Sequence, residues 1–475
     1  MKLRDLAGID SNSEVTGFAI DHRKVAVGSV FGAFRGAVSN GEDFIGEAVG
    51  RGAVAIVARG EVEKPAVPLL ADTNPRRLFA ELAAKFYAPF PETVVAVTGT
   101  NGKTSTVEMT RQIWRMSGHR SASIGTLGVT TADDQVSTGL TTPDIVTFLN
   151  NIAGLKRMGI SHVAYEASSH GLDQHRAEGV PLAAAAFTNF SRDHLDYHET
   201  MDAYFEAKMR LFEALLPRGR PVVVWTDDPK SDEVIDRARK HGHQVMSVGR
   251  QGETIRLVEQ SPTALGQTLM LEYGGKSHRL SLPLIGAYQA ANVLTAAGLV
   301  LATGGKWDAT FAAMARVAPV RGRLERAVIS RSGVPVYIDY AHTADALEAA
   351  IAALRPHVAK EAGARLITVF GAGGDRDQGK RPEMGRVATA LSDVVIVTDD
   401  NPRSEDPAAI RAAVMAGASG ATEVGGRREA IAEAIRIARE GDIVLVAGKG
   451  HETGQIIGEK VLPFDDVLVA RECAA

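Results

Sequence analysis

Residues 98–105 read Thr-Gly-Thr-Asn-Gly-Lys-Thr-Ser, a string with the means to hold a polyphosphate. Gly99 and Gly102, with Thr100 and Asn101 between them, let backbone N–H groups approach phosphate oxygens. A helix opening at Ser105 adds its partial positive charge. Lys103 can reach the β- and γ-phosphates, and the Thr104 hydroxyl can ligate magnesium. The spacing is not that of the ordinary phosphate loop, because Val97 stands where its first glycine would be. ATP with Mg2+ is the ligand these residues imply.

A second chemical candidate is a lysine. Met201, Phe205, Phe212 and Leu215 step by four, seven and three residues, and Lys208 fills the missing place on that helical face. Partial burial there depresses a lysine pKa and leaves a fraction of it as free amine. Further along, three short strings carry both signs of charge: Gly374-Asp375-Arg376-Asp377, Asp400-Asn401-Pro402-Arg403 and Gly448-Lys449-Gly450-His451-Glu452. Arginine forks suit carboxylates, while Asp400 and Glu452 can receive ammonium groups, so the set fits a zwitterion.

These groups need a scaffold that brings them together. Val94–Val97, Val163–Tyr165 and Val222–Trp225 read as buried strands, as do Val336–Ile338, Leu366–Phe370, Val394–Val397 and Ile443–Val446. Strands alternating with helical patterns predict an α/β protein with parallel, doubly wound sheets. Ligands bind at the carboxyl ends of such strands, and each string above directly follows one. Proline-bearing stretches at 88–91 and 318–322 suggest three domains. They comprise a smaller N-terminal α/β domain (1–88), a central domain with a P-loop-type parallel sheet (89–318) and a Rossmann-like C-terminal domain (319–475).

The whole-chain balance limits the function classes. Lys+Arg 53 against Asp+Glu 57 gives a net charge of -4, so no basic excess points to nucleic acid or a membrane surface. Cys473 is the one cysteine, which excludes a disulfide framework and a thiolate metal site. The opening residues lack the apolar core of a signal peptide, and the uncharged stretch 280–305 reads as a loop and buried helix rather than a membrane span. A cytoplasmic monomer acting on small molecules is the expectation.

The string TGTNGKTS is similar to that of the Mur ligases and their folylpolyglutamate synthetase relatives. The resemblance extends through Glu166–Arg176 (EASSHGLDQHR), Phe187–His198 (FTNFSRDHLDYH) and Tyr204–Phe212 (YFEAKMRLF). It continues through Asp339–Leu347 (DYAHTADAL), Gly371–Pro382 (GAGGDRDQGKRP), DNPR and GKGHE. Membership of this family implies an ATP-dependent acid–amino-acid ligase of peptidoglycan precursor synthesis that works through an acyl phosphate. It further implies that Glu166 binds magnesium with Thr104, that His194 holds a second magnesium, and that Lys208 is carbamylated and supports the metal. Lys103, Lys208 and His194 would then be the catalytic set. By the same resemblance Asn292, Arg323 and Asp339 join the ATP site, and Thr141, Thr142, Ser168, Gln174 and Arg176 hold a UDP-linked muramoyl dipeptide. Ile20 and His22 would meet its UDP end, although His22 stands where the family usually has serine. Gln289 likewise replaces a common asparagine near the adenine. Arg376, Asp400, Asn401, Pro402, Arg403, Gly448 and Glu452 would bind the incoming amino acid, and DNPR is the version associated with meso-diaminopimelate, with L-lysine the alternative.

Overall fold

A computed structural model describes residues 1–36, 39–136, 139–358 and 363–475, without the side chain of Asp196. The chain forms two compact units, Met1–Ile255 with Leu294–Thr310, and Arg256–Val293 with Phe311–Ala475.

The first unit holds two sheets. Near the N-terminus, strands Gly17–Ala19, Ser29–Gly32, Ala55–Ala58 and Leu69–Ala71 pair in parallel in chain order. The helix Pro75–Tyr87 buries Phe79, Ala80, Leu82, Ala83 and Ala84. Asn74 caps this helix by accepting from the Arg77 N–H, and proline takes its first turn, where no N–H is needed.

The larger sheet contains a parallel core in the order Gln244–Gly249, Pro221–Trp225, Ala184–Phe187, Thr93–Thr98, His162–Glu166, Ser121–Gly125. Thr93–Thr98 lies at its centre, and Val94 to Val97 are wholly buried, as expected of a strand covered on both faces. The helix Lys103–Met116 starts directly from the loop after this strand. The three strands expected here form, each one or two residues longer than the β-branched run that signalled it.

The helix carrying Lys208 departs from its expected pattern. Thr200 caps it through the Ala203 N–H, but α-helical geometry ends at Arg210 and a π turn follows over Leu211–Leu215. The wider turn rotates the last residues, so Leu215 is only partly buried while Leu211 and Phe212 are fully enclosed.

In the second unit, three antiparallel strands, Ile255–Thr263, Gly266–Tyr273 and Lys276–Leu282, form a meander with no counterpart among the sequence expectations. A six-stranded sheet follows in the order Glu325–Ile329, Pro335–Asp339, Ile443–Ala447, Leu366–Phe370, Val394–Val397, Thr422–Glu423. All its pairings are parallel except the first. The central strands of this sheet are the four runs read from the sequence. A hairpin, Gly454–Ile457 with Lys460–Pro463, stands beside it. The stretch 280–305 contains the helix Ala287–Ala302, and no helix among the described residues is long and apolar enough to cross a membrane.

Candidate active site

The loop after the central strand is shaped by a segment far away in sequence. The Thr100 N–H donates to the Asn189 carbonyl at 2.8 Å, and the Asn101 N–H donates to Asn189 Oδ1 at 2.8 Å. Asn189 Nδ2 and the Thr188 hydroxyl return bonds to the Asn101 carbonyl at 3.1 and 2.6 Å. Thr100 Oγ1 accepts from the Ser191 N–H and from the Tyr204 hydroxyl. Gly99 has φ +144, and a Cβ there would stand 2.0 Å from Thr188 Oγ1, so both backbone and space demand glycine. Ser105 is buried in the first helical turn.

Two lysines meet at one carbonyl of this loop. Lys103 Nζ donates to the Gly99 and Thr100 oxygens at 2.9 and 2.7 Å, and Lys208 Nζ donates to the Gly99 oxygen at 2.7 Å. Lys208 is 1% exposed and lies 4.2 Å from the centroid of the Tyr204 ring. Burial, then the neighbouring Lys103 charge, pushes its pKa well below the usual lysine range, with Asp193 opposing.

Thr104 Oγ1 donates to Glu166 Oε2 at 3.1 Å. The other carboxylate oxygen accepts the Thr126 N–H at 2.7 Å. A hydroxyl and a buried carboxylate this close form an oxygen-donor pair suited to a hard cation that takes its remaining ligands from phosphate and water. Among the described residues no group of three or more His, Cys, Asp and Glu is placed to hold a metal by itself. His194 is exposed at φ 52, with its ring 3.4 Å from Asp193 and 4.8 Å, edge to face, from His170.

Beyond Glu166 the chain turns through a hydroxyl pair. Thr142 Oγ1 donates to the Glu166 carbonyl at 2.8 Å and meets Ser168 Oγ at 2.9 Å, while Thr141 Oγ1 meets Thr126 Oγ1 at 3.1 Å. Arg176 grips Gln174 Oε1 through two nitrogens, at 3.1 and 2.6 Å, and the Thr142 carbonyl at 3.2 Å. Thr104, Thr126, Thr141, Thr142, Glu166, Ser168, Gln174 and Arg176 are therefore linked in one hydrogen-bonded network. Ile20 follows the N-terminal strand Gly17–Ala19, and His22 opens the short 3-10 turn His22–Lys24 after it. The His22 ring stacks on Phe44 at 4.2 Å and 5°, and Asp21 is held down to about 2 by Arg23.

The second unit gathers another set. Asp339, buried at a strand end, accepts the Leu324 and Ala341 N–H groups at 2.8 and 2.9 Å; burial raises its pKa while Arg323 opposes. Arg323 lies 5.0 Å over the Tyr340 ring, and Asn292 donates to Gln289, which donates to the Arg323 carbonyl. His451 packs against Tyr340 and is lowered to about 4 by burial and by Arg323 and Arg321. Asp400 Oδ1 accepts the Asn401 N–H, whereas buried Oδ2 has no hydrogen-bond partner and lies 3.8 Å from Arg427. Gly448 admits that carboxylate, since a Cβ would come within 2.6 Å of it. Asn401 Nδ2 donates to Glu452 Oε2 at 2.7 Å, and the Pro402 carbonyl closes a turn with the Glu405 N–H. Arg403, at φ 52, points NH1 at the Gly374 carbonyl at 2.8 Å, and Arg376 is exposed on the loop before the helix Lys380–Leu391.

Residues 97–300 match the Mur ligase middle domain and residues 322–450 the Mur ligase glutamate ligase domain. The chain belongs to the Mur ligase family. A Zymomonas mobilis protein named UDP-N-acetylmuramoyl-L-alanyl-D-glutamate–2,6-diaminopimelate ligase is 58% identical over 463 residues, covering 96% of this chain and 94% of its own. A Bradyrhizobium diazoefficiens protein of the same name is 49% identical, covering 98% and 97%. A solved structure bearing that name is 31% identical with a TM-score of 0.75, covering 100% of this chain and 98% of that one. The Mycobacterium tuberculosis folylpolyglutamate synthase, solved with ADP and AMPPCP, shares the fold at TM-score 0.62 and 20% identity, covering 78% and 92%. This Mur ligase thus has the three-domain α/β architecture of its family, and it is an ATP-dependent ligase by kinship.

Several residues of this Mur ligase were not singled out by its sequence. Thr126 braces Glu166 but follows a strand, Ser121–Gly125, that no β-branched run announced. Asn189 sits two residues past Phe187 at a carboxyl strand end, and that position was its signal. Lys449 lies inside the GKGHE string, and Arg427 binds Asp466 through two nitrogens at 2.7 and 2.6 Å, fully buried. Nothing near Arg427 in the sequence marked it.

Proposed function

We propose that the chain joins meso-diaminopimelate to the D-glutamate carboxylate of UDP-N-acetylmuramoyl-L-alanyl-D-glutamate, with ATP cleaved to ADP and phosphate. The observation that carries this reading is full-length similarity, at 46–58% identity, to relatives that share one name. The carboxylate oxygen attacks the γ-phosphorus, ADP leaves, and the resulting acyl phosphate accepts the incoming amine. The tetrahedral adduct collapses by expelling phosphate, and the amine proton is released. A carboxylate is a poor electrophile, so phosphate supplies the leaving group.

In this reading the backbone N–H groups of 99–105, the helix start and Lys103 hold the nucleotide phosphates. Asn292, Arg323 and Asp339 serve the nucleoside. Thr104 and Glu166 would hold magnesium, His194 would hold a second ion, and a carbamate on Lys208 would support the metal; the metal's contribution is to offset the charge of two anions brought together. What supports the carbamate is that a buried, easily deprotonated lysine amine is the nucleophile CO2 requires. Thr141, Thr142, Ser168, Gln174 and Arg176 orient the dipeptide, and Ile20 and His22 meet the uridine end. Arg376, Asp400, Asn401, Pro402, Arg403, Gly448 and Glu452 bind diaminopimelate. The functional domains are 1–88, 89–318 and 319–475, and the enzyme works as a cytoplasmic monomer.

Phosphate release with the UDP-dipeptide plus meso-diaminopimelate, L-lysine or no amine tests the proposal. Turnover requiring diaminopimelate is expected. Robust turnover with L-lysine, or without any amine, overturns it.

A further inference from the structure

Lys208 and Lys449 are the two lysines among the largest fully buried side chains of the described residues, and they are held in opposite ways. Lys208 faces a carbonyl and a ring. Lys449 is 0% exposed and spends its three ammonium donors on Asn401 Oδ1 at 3.1 Å, Glu452 Oε2 at 3.1 Å and the Gly454 carbonyl at 2.6 Å. A buried ammonium with every proton bonded and an anion beside it is a fixed structural charge.

Two of its three partners, Asn401 and Glu452, are residues assigned above to the amino-acid pocket. Asn401 Oδ1 also accepts the Ile456 N–H at 3.0 Å, so two donors set the amide orientation and leave Nδ2 to bind Glu452 Oε2. Glu452 Oε2 therefore takes both Lys449 and Asn401, which fixes the carboxylate torsion and leaves Oε1 as its uncommitted face. The Glu452 side chain is 32% exposed, so that face can reach a ligand. The hairpin completes the brace. Arg403 N–H donates to Ile456 O, Gly458 N–H donates to Arg403 O, and Gln455 Nε2 donates to Asp400 O at 2.6 Å.

We infer that Lys449 is a positioning residue for recognition of the incoming amino acid: acting through Asn401 and Glu452, it aims one carboxylate oxygen at a substrate ammonium and adds a positive charge that favours substrates bearing an extra carboxylate. This inference rests on the amino-acid-site reading proposed above. The charge has a direct consequence for selection. Removing one positive group makes the pocket relatively kinder to L-lysine, a net cation, than to diaminopimelate, which is net neutral.

Steady-state phosphate release on Lys449→Met, Glu452→Gln, the double variant and Arg403→Ala tests it. Lys449→Met is expected to raise the KM for diaminopimelate about ten-fold or more, the scale of one lost charged hydrogen-bond partner, with the KM for ATP within about two-fold of wild type. The preference for diaminopimelate over L-lysine in kcat/KM should fall with it. In the Glu452→Gln background the same substitution should add less than about three-fold, because residues acting as one unit are not additive. An unchanged diaminopimelate KM, a parallel rise in the ATP KM, an unchanged preference or a full effect in the Glu452→Gln background overturns the role of Lys449. An unaltered diaminopimelate KM in Arg403→Ala instead sinks the pocket reading itself. Should Lys449→Met not fold, Lys449→Gln, which keeps a donor for the Gly454 carbonyl, enters the same comparisons.

Discussion

Replacing Lys208 should separate stability from activity. Its ammonium is almost wholly out of water, a cost of several kcal/mol for a charge in a protein interior. One hydrogen bond to the Gly99 carbonyl returns about 1.5–3 kcal/mol if the lysine is charged and about 1 kcal/mol if it is neutral. Desolvation therefore opposes the charged form, and the amine gives up its proton more readily than an ordinary lysine. Lys208→Met keeps the stem and drops the polar tip, so with CO2 removed the fold should be unharmed within about 1 kcal/mol, the worth of one neutral hydrogen bond. The sign with pH follows from proton uptake. Below the ordinary lysine value of 10.5 the unfolded chain binds a proton that the folded chain resists, so wild-type stability falls relative to Lys208→Met as pH is lowered from there. Turnover should move the other way. Loss of one preorganised charge in a catalytic site costs on the order of 10²–10³ in kcat. Lys208→Ala should lose at least that much and recover in part with a short-chain carboxylic acid occupying the freed space. Wild-type enzyme stripped of CO2 should regain activity with bicarbonate faster at pH 8 than at pH 6, since only the neutral amine reacts. Phosphate release and urea unfolding monitored together supply both readouts. Activity in Lys208→Ala within about ten-fold of wild type, well inside the expected loss, would refute the reasoning.

Three further outcomes follow from geometry. Gly99→Ala adds a Cβ where Thr188 Oγ1 already sits and asks alanine to hold φ +144, a backbone cost of about 1–3 kcal/mol; nucleotide affinity, followed by titration with ADP, should fall sharply while the far-UV spectrum stays constant. Arg427→Met strands the buried Asp466 carboxylate and should cost about 3–5 kcal/mol in urea unfolding, whereas replacing both partners with apolar residues should recover most of it. His162 is lowered from 6.5 to about 4 by burial and by the His119 charge, so the folded state refuses a proton that the unfolded state accepts; stability is lost as pH falls from 6.5 towards 4, and His162→Asn should flatten that slope.

How much of this was readable beforehand depends on the range of the interactions. The buried strands announced themselves because β-branched runs covered on both faces leave no polar period to confuse them. The strings at 98–105, 400–403 and 448–452 stand out in the sequence because their charged and glycine residues are adjacent. The N-terminal strands Gly17–Ala19 and Leu69–Ala71 are three residues each, too short to carry a period. The meander at 255–282 mixes charged and apolar residues along its strands, so it offers no continuous apolar run to mark it. The π turn after Arg210 broke the helical count at Leu215, although the count had placed Lys208 on the buried face. Thr126, Asn189 and Lys449 act on partners 40, 88 and 48 residues away, and no local spacing encodes such pairings.

The lacing of Asn101 to Thr188 and Asn189 bears on how the chain acquires its activity. The eight residues 98–105 look self-sufficient as a string, yet their shape is cast against a segment made some ninety residues later. During synthesis the emerging chain can carry the whole motif while lacking the mould for it. Contacts of this separation form late, because the intervening loop must first be closed. Nucleotide capture is then a report that the strand Ala184–Phe187 has docked beside Thr93–Thr98. A fragment ending before that strand should leave the motif unshaped, however intact its letters.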